Sequence, residues 1–137
     1  MAKFRSDLLL RLARKLESLK PRQFDYNRWS APNHKEDDRY SCGSVGCALG
    51  WAVTLPSIAK AGLFMLGHSP ASQRKNRAPA WGAEAACSVF GISQGEASAL
   101  FLPQDSGLPN AEYATPKQVA KHIRRFVSDK KKELGLR

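Results

Sequence analysis

The sequence predicts an all-α fold: a compact bundle of five to six helices around a buried, glycine-rich central helix, forming a single domain over residues 1–137. Three observations lead to this prediction. Apolar residues recur at helical spacing in several segments. Two Ser/Thr-x-x-Glu/Gln capping boxes precede such segments. One segment is apolar or small on every side, as expected of a helix surrounded by protein.

That segment, residues 42–54, predicts the central helix. Gly43, Gly46 and Gly50 fall on one stripe of it. Each glycine inside a helix costs about 0.5–1 kcal/mol relative to alanine, so we expect another backbone to come close along this stripe. Pro56 is expected to open a short helix or to kink the preceding one.

Four further helices are predicted from periodicity and end signals. The first begins at Ser6. Another spans residues 81–90 and ends at Gly91, where a left-handed cap is expected. The capping boxes that start at Ser93 and Thr115 open the last two, and the helix after Thr115 is long and basic on its outer face.

The segments between these helices are expected to be irregular. Residues 22–41 lack periodicity and predict a long ordered loop, residues 63–66 a short extended segment, and residues 68–79 a mobile basic loop.

Net charge is the feature of the composition that bears most directly on function. The formal charge is +10: residues 1–30 carry +5, residues 113–137 carry +6 and the residues between them carry −1. Helices with this charge on their outer faces form a surface suited to a phosphate backbone or an acidic protein. The competing interpretation is a solvated helix face without a partner. The predicted binding residues are Arg11, Arg14, Lys15, Arg74, Lys75, Arg77, Lys117, Lys121, Arg124, Arg125, Lys131 and Lys132.

The composition argues against a membrane or secreted protein. No apolar run approaches the roughly 18 residues of a membrane span, and residues 1–14 mix leucine with arginine, unlike a signal peptide. Three cysteines make an odd number without the dense spacing of a disulfide scaffold. We therefore expect a cytoplasmic protein with reduced thiols and no membrane partner.

The cysteines allow one catalytic hypothesis. Cys42 and Cys47 are too far apart along a helix for a zinc knuckle, so we expect no metal and no cofactor. A thiol at a helix N-terminus has a lowered pKa and becomes nucleophilic, which makes Cys42 a candidate centre of a cysteine-dependent enzyme. No histidine lies in a context that identifies it as the base, and Cys42 is otherwise a cap that closes the long loop.

Residues 83–100 have the outline of a DNA-binding helix-turn-helix, with a turn at Gly91. The second helix of this outline has Gln94, Glu96 and Ser98 on its polar side and lacks Lys and Arg, a poor set for approaching phosphates. A plain helical hairpin is favoured, and a helix-turn-helix regulator remains an alternative.

Several motifs resemble a family of small uncharacterised proteins from bacteria, phages and prophages. The resemblance covers most of residues 8–127. The family mark is Cys-Gly-Ser/Thr-Val-x-Cys-x-x-Gly-Trp-Ala, which here begins at Cys42; Phe24-Asp25, Phe90-Gly91-Ile92-Ser93 and Thr115-Pro116 also match. The resemblance implies a phage or mobile-element context and assigns no catalytic role.

Taken together, these features predict a non-enzymatic basic binding protein of phage or mobile-element origin. Its expected partner is nucleic acid or a nucleoprotein complex, a host-defence complex included, and the contact is expected through its basic surface.

Overall fold

The computed structural model describes residues 3–20, 24, 48–66, 69–72, 78–102, 106–108 and 114–135. The helices in these ranges are α1 (Ser6–Glu17), α2 (Ala48–Ala52), α3 (Pro56–Lys60), α4 (Gly82–Phe90), α5 (Gln94–Phe101) and α6 (Pro116–Glu133). The strands are β1 (Leu63–Leu66), β2 (Ser69–Ser72) and β3 (Ala80–Trp81). None of the helices in this part of the chain combines the length and the apolar character needed to cross a bilayer.

The most extensive contact between two elements is that of α1 with α6. Both helices are amphipathic, and their leucine, valine and isoleucine side chains meet in a fully buried interface. Helix α1 contacts α2, whereas the main partners of α6 are α1 and α5.

Helix α2 represents the predicted central helix within the described residues. All five of its residues are buried, Gly50 among them, as the apolar character of the segment predicts. Residues 42–47, including the cysteines and the other two glycines, lie outside the described residues. Pro56 occupies the first turn of α3, as predicted, since its fixed φ suits that position.

A three-stranded antiparallel sheet corrects the all-α prediction. Its order is β1-β2-β3, and β1 pairs with β2 from Leu63 opposite Ser72 to Leu66 opposite Ser69. The expected extended segment is confirmed as β1, but β2 falls within the predicted loop. Ser-Pro-Ala-Ser has little strand propensity of its own, and its extended conformation comes from pairing on both sides and from packing on α4.

Helices α4 and α5 are joined by a tight turn at Gly91, which adopts the predicted left-handed conformation with φ of 67°. The N-terminal segment lies directly over this turn, because the Arg5 N–H donates to the Phe90 carbonyl at 2.8 Å. Residue Trp81, predicted to begin α4, belongs instead to β3 and is 48% exposed. The prediction of two packed helices with Ala85, Phe90 and their neighbours inward is confirmed.

Candidate nucleic-acid interface

Helix α6 is held in place by its first turn and by its apolar face. Thr115 Oγ1 accepts from the Gln118 N–H at 3.1 Å, and Gln118 Oε1 accepts from the Thr115 N–H at 2.8 Å. This reciprocal cap is the predicted capping box. On the inner face Val119, Ile123 and Val127 are buried. The outer face therefore belongs to a helix whose position and rotation are defined.

Apart from Arg124, which is ion-paired with Glu17, four cations on the outer face of α6 are exposed: Lys117, Lys121, Arg125 and Lys132. We call them the α6 stripe. The first three follow one another every four residues, which places them on one line along the helix, and the stripe spans about 22 Å at 1.5 Å per residue. Among the described residues no carboxylate forms an ion pair with any of the four.

Arg124, predicted to be a binding residue, is instead engaged inside the protein. Its Nε and Nη2 each donate to a carboxylate oxygen of Glu17 on α1 at 2.8 Å. These hydrogen bonds lower the pKa of Glu17 and raise that of Arg124. A guanidinium that holds a carboxylate by two bonds must give them up before it contacts a phosphate. We therefore assign Arg124 to the α1–α6 contact.

The predicted binding residues of α1 differ in their surroundings. Lys15 is half-buried with its Nζ 5.4 Å from the centre of the Trp51 ring, a cation–π contact with α2. Arg11 and Arg14 are exposed, although Arg14 lies close enough to Glu17 to contribute to its lowered pKa. Lys131 on α6 is half-buried. Lys15 and Arg124 thus differ from the other predicted binding residues of the two helices, because their cationic groups contact Trp51 and Glu17.

Arg74, Lys75 and Arg77, the predicted basic loop, lie outside the described residues, as does Cys42. The third cysteine, Cys87, is half-buried on α4, and burial raises the pKa of its thiol, which favours the protonated form. In the described ranges no group of three or more His, Cys, Asp or Glu side chains is placed to hold a metal ion.

A pocket of about 240 Å³ lies beside the first turns of α6. Its wall on α6 contains two cations of the stripe, Lys121 and Arg125, together with Gln118 and His122, and its other lining is Leu108 and Ala114. The His122 ring is fixed by α5, since its Nε2 lies 2.9 Å from the Ala99 carbonyl. The carbonyl can only accept, so Nε2 carries a hydrogen.

Sequence reasoning identified the two cations of this pocket and missed the other four of its described lining residues. Gln118 was assigned only to the cap. The i, i+3 and i, i+4 spacing of Gln118, Lys121, His122 and Arg125 was the available signal, because it places polar side chains together on one flank of α6. Leu108 and Ala114 carry no comparable signal, since their segment has no periodicity.

The structure favours a DNA-binding helix-turn-helix at α4 and α5 no more than the sequence does, because α5 has no Lys or Arg with which to approach phosphates. The one acid of α5, Glu96, accepts from Lys130 of α6 at 2.8 Å and completes the Ser93 capping box. Partial burial acts to raise the pKa of Glu96, but its hydrogen bonds with Lys130 and Ser93 outweigh this and leave the pKa lowered. The polar side of α5 therefore contributes to its contact with α6.

No family model matches the chain, and no curated protein or solved structure matches it either.

Proposed function

We propose that this protein is a non-catalytic nucleic-acid-binding protein whose main contact surface is the α6 stripe. The observation that carries the proposal is a row of exposed cations on an anchored helix. They are not paired with carboxylates of the described residues, whereas neighbouring Arg124 and Lys130 are paired. Cations that have no ion-pair partner among the described residues are available to neutralise backbone phosphates, which releases the counterions condensed on the nucleic acid.

The dimensions of the stripe support a polyanion as the ligand. Duplex DNA carries phosphates every 3.4 Å along each strand, so a stripe of about 22 Å runs beside roughly six base pairs. Four contacts of this kind favour a backbone over a single small anion. Three of the four stripe residues are lysines, which bind phosphates as point charges, so we expect binding with little sequence preference.

The resemblance to bacterial, phage and prophage proteins supports a mobile-element context for this binding. In that context the partner is nucleic acid, free or within a nucleoprotein complex of the host cell such as a defence complex. A pull-down from host lysate with and without nuclease separates this partner from an acidic protein surface. Nuclease treatment should abolish the recovery of partners, and partners that persist unchanged after digestion would contradict the proposal.

A salt series with matched variants tests the stripe directly. Lys117→Gln/Lys132→Gln removes its two ends, and the control Lys3→Gln/Lys60→Gln removes the same charge at exposed positions on other elements. Affinity for a duplex DNA fragment should fall for the stripe variant, and the slope of log K against log salt should become shallower by about 2, near 0.9 for each lost phosphate contact. The control should retain the wild-type slope. Equal changes in both variants, or no binding of DNA or RNA by wild type at low salt, would refute the proposal.

A further inference from the structure

The pocket beside α6 has a chemical character different from that of the stripe that borders it. The stripe is open and extended, whereas the pocket is a concavity that combines two cations, an amide and an imidazole with the apolar side chains of Leu108 and Ala114. Its described lining contains no carboxylate. Such a combination of an apolar wall with a few convergent polar groups is typical of a small-ligand site.

The four polar residues converge because of their spacing on α6. Lys121 and Arg125 are four residues apart, so their Cβ atoms lie about 5–6 Å from each other and both side chains can reach one anion. Gln118 and His122 form the adjacent row. The Gln118 Oε1 is occupied by the cap, which leaves the amide NH₂ as the group with hydrogens to donate. Hydrogen-bond donors therefore outnumber acceptors on the α6 side of the pocket.

The opposite side of the pocket is also locally ordered. The Leu108 N–H donates to Ser106 Oγ at 3.2 Å, which holds the turn that carries Leu108. Ala114 is 9% exposed and directly precedes the capping residue Thr115. Of the two apolar residues, Ala114 therefore adjoins the same cap that positions the donors, and Leu108 is held by its own turn.

The volume limits what can enter. About 240 Å³ exceeds the roughly 150 Å³ of an apolar cavity that holds benzene but lies under the roughly 300–1,000 Å³ typical of drug-sized ligands. A phosphate group with one attached sugar suits this space, and the base of a nucleotide bound in this way would lie outside the pocket. An Arg fork together with a Lys point charge suits the two negative charges of a terminal phosphate.

We infer that this pocket binds a phosphate monoester, with the phosphate between Lys121 and Arg125 and its sugar against Leu108 and Ala114. One source of the phosphate monoester is the phosphorylated end of a nucleic-acid strand that lies along the stripe, and for this source the inference rests on the proposed function. A free mononucleotide is the other source with the same chemistry.

Two variants alter the pocket and preserve the stripe. Gln118→Glu introduces a negative charge, and it retains the cap because Glu serves as well as Gln at this position of a capping box. Its control is Gln94→Glu, which adds the same charge at an exposed site in the first turn of α5. Ala114→Leu fills the pocket without any change of charge, so agreement between the two pocket variants excludes a purely electrostatic effect.

The experiment compares a short single-stranded DNA bearing a 5′-phosphate with the same strand bearing a 5′-hydroxyl, and adds uridine 5′-monophosphate as the free source. Wild type should bind the phosphorylated strand about tenfold more tightly, the effect of one charge-assisted hydrogen bond. Gln118→Glu and Ala114→Leu should lose that preference and still bind the hydroxyl strand, whereas Gln94→Glu should keep it.

The outcomes distinguish this inference from the proposed function. Equal binding of the two strands by wild type, with no binding of the mononucleotide, would overturn the pocket and leave the stripe intact. Binding of the mononucleotide alone, lost in both pocket variants, would support the pocket and refute nucleic-acid binding. Failure of all three ligands would overturn both.

Discussion

The turn between α4 and α5 offers the sharpest test of the structure, through Gly91→Ala. Gly91 has φ of 67°, and a Cβ added to it would overlap the Lys3 carbonyl group and lie 2.9 Å from the Phe4 backbone nitrogen. Two costs arise. A left-handed alanine costs about 1–2 kcal/mol, and forcing the Lys3–Phe4 backbone outward is an overpacking cost of about 1–3 kcal/mol. The free energy of unfolding should therefore fall by about 2–5 kcal/mol.

Gly107→Ala is the matched control. Gly107 has a similar φ of 76°, but an added Cβ has no atom of the described residues within 4 Å, so only the cost of a left-handed alanine, about 1–2 kcal/mol, applies. Urea unfolding followed by circular dichroism measures both variants. Hydrogen exchange supplies a second readout, because displacement of the N-terminal segment should expose the Arg5 amide, now bonded to Phe90. Equal losses in the two variants, with Arg5 still protected, would refute the close approach.

Three further predictions concern stability. Gly50→Leu in the buried helix α2 should lower the free energy of unfolding by about 1–3 kcal/mol through overpacking. Gly95→Ala on α5, where an added Cβ has no described atom within 4 Å, should raise it by about 0.5–1 kcal/mol. Thermal melts that rank the two variants in the opposite order would contradict both burial assignments. The lowered pKa of Glu96 means that its contact with Lys130 contributes stability above the unfolded-state value near 4.5, and that this contribution disappears as pH falls through the lower folded-state pKa. Glu96→Gln should accordingly be less stable than wild type at neutral pH and converge with it in acid, and a stability difference independent of pH would be inconsistent with the contact. Arg124→Gln should destabilise by no more than about 1 kcal/mol, since its ion pair is exposed, and should leave nucleic-acid affinity nearly unchanged; a loss of affinity as large as that of the stripe variant would return Arg124 to the binding surface.

Local chemistry in the sequence was sufficient to predict three of the helix ends, although not the start of α4 at Gly82. The Ser93 and Thr115 capping boxes and the left-handed Gly91 were all expected and are all present. Each depends on backbone groups within four residues of the side chain concerned, so the information needed lies in one short window. The exposed cations of α6 were predictable for a related reason, because an 18-residue amphipathic helix defines its own outer face.

The candidate site could be predicted only in part. Which cations are engaged depends on partners far away in the chain: Glu17 is 107 residues from Arg124, and Glu96 is 34 residues from Lys130. A helical pattern shows that a side chain points outward, but it does not show what lies beside it. Arg124 and Lys121 are therefore indistinguishable in the sequence and different in the structure.

The sequence by itself determined the helices, their caps and the basic outer face of α6, because short-range hydrogen bonds and helical periodicity encode them. Tertiary structure alone decided the rest. Ser69–Ser72 forms a strand because β1 and β3 supply hydrogen-bond partners on both sides, against its low intrinsic propensity. Leu108 lines a pocket together with Ala114 and residues of α6 because tertiary packing brings these residues to one place. Contacts of this kind depend on which surfaces meet when the core closes, and no local window of the chain contains both surfaces.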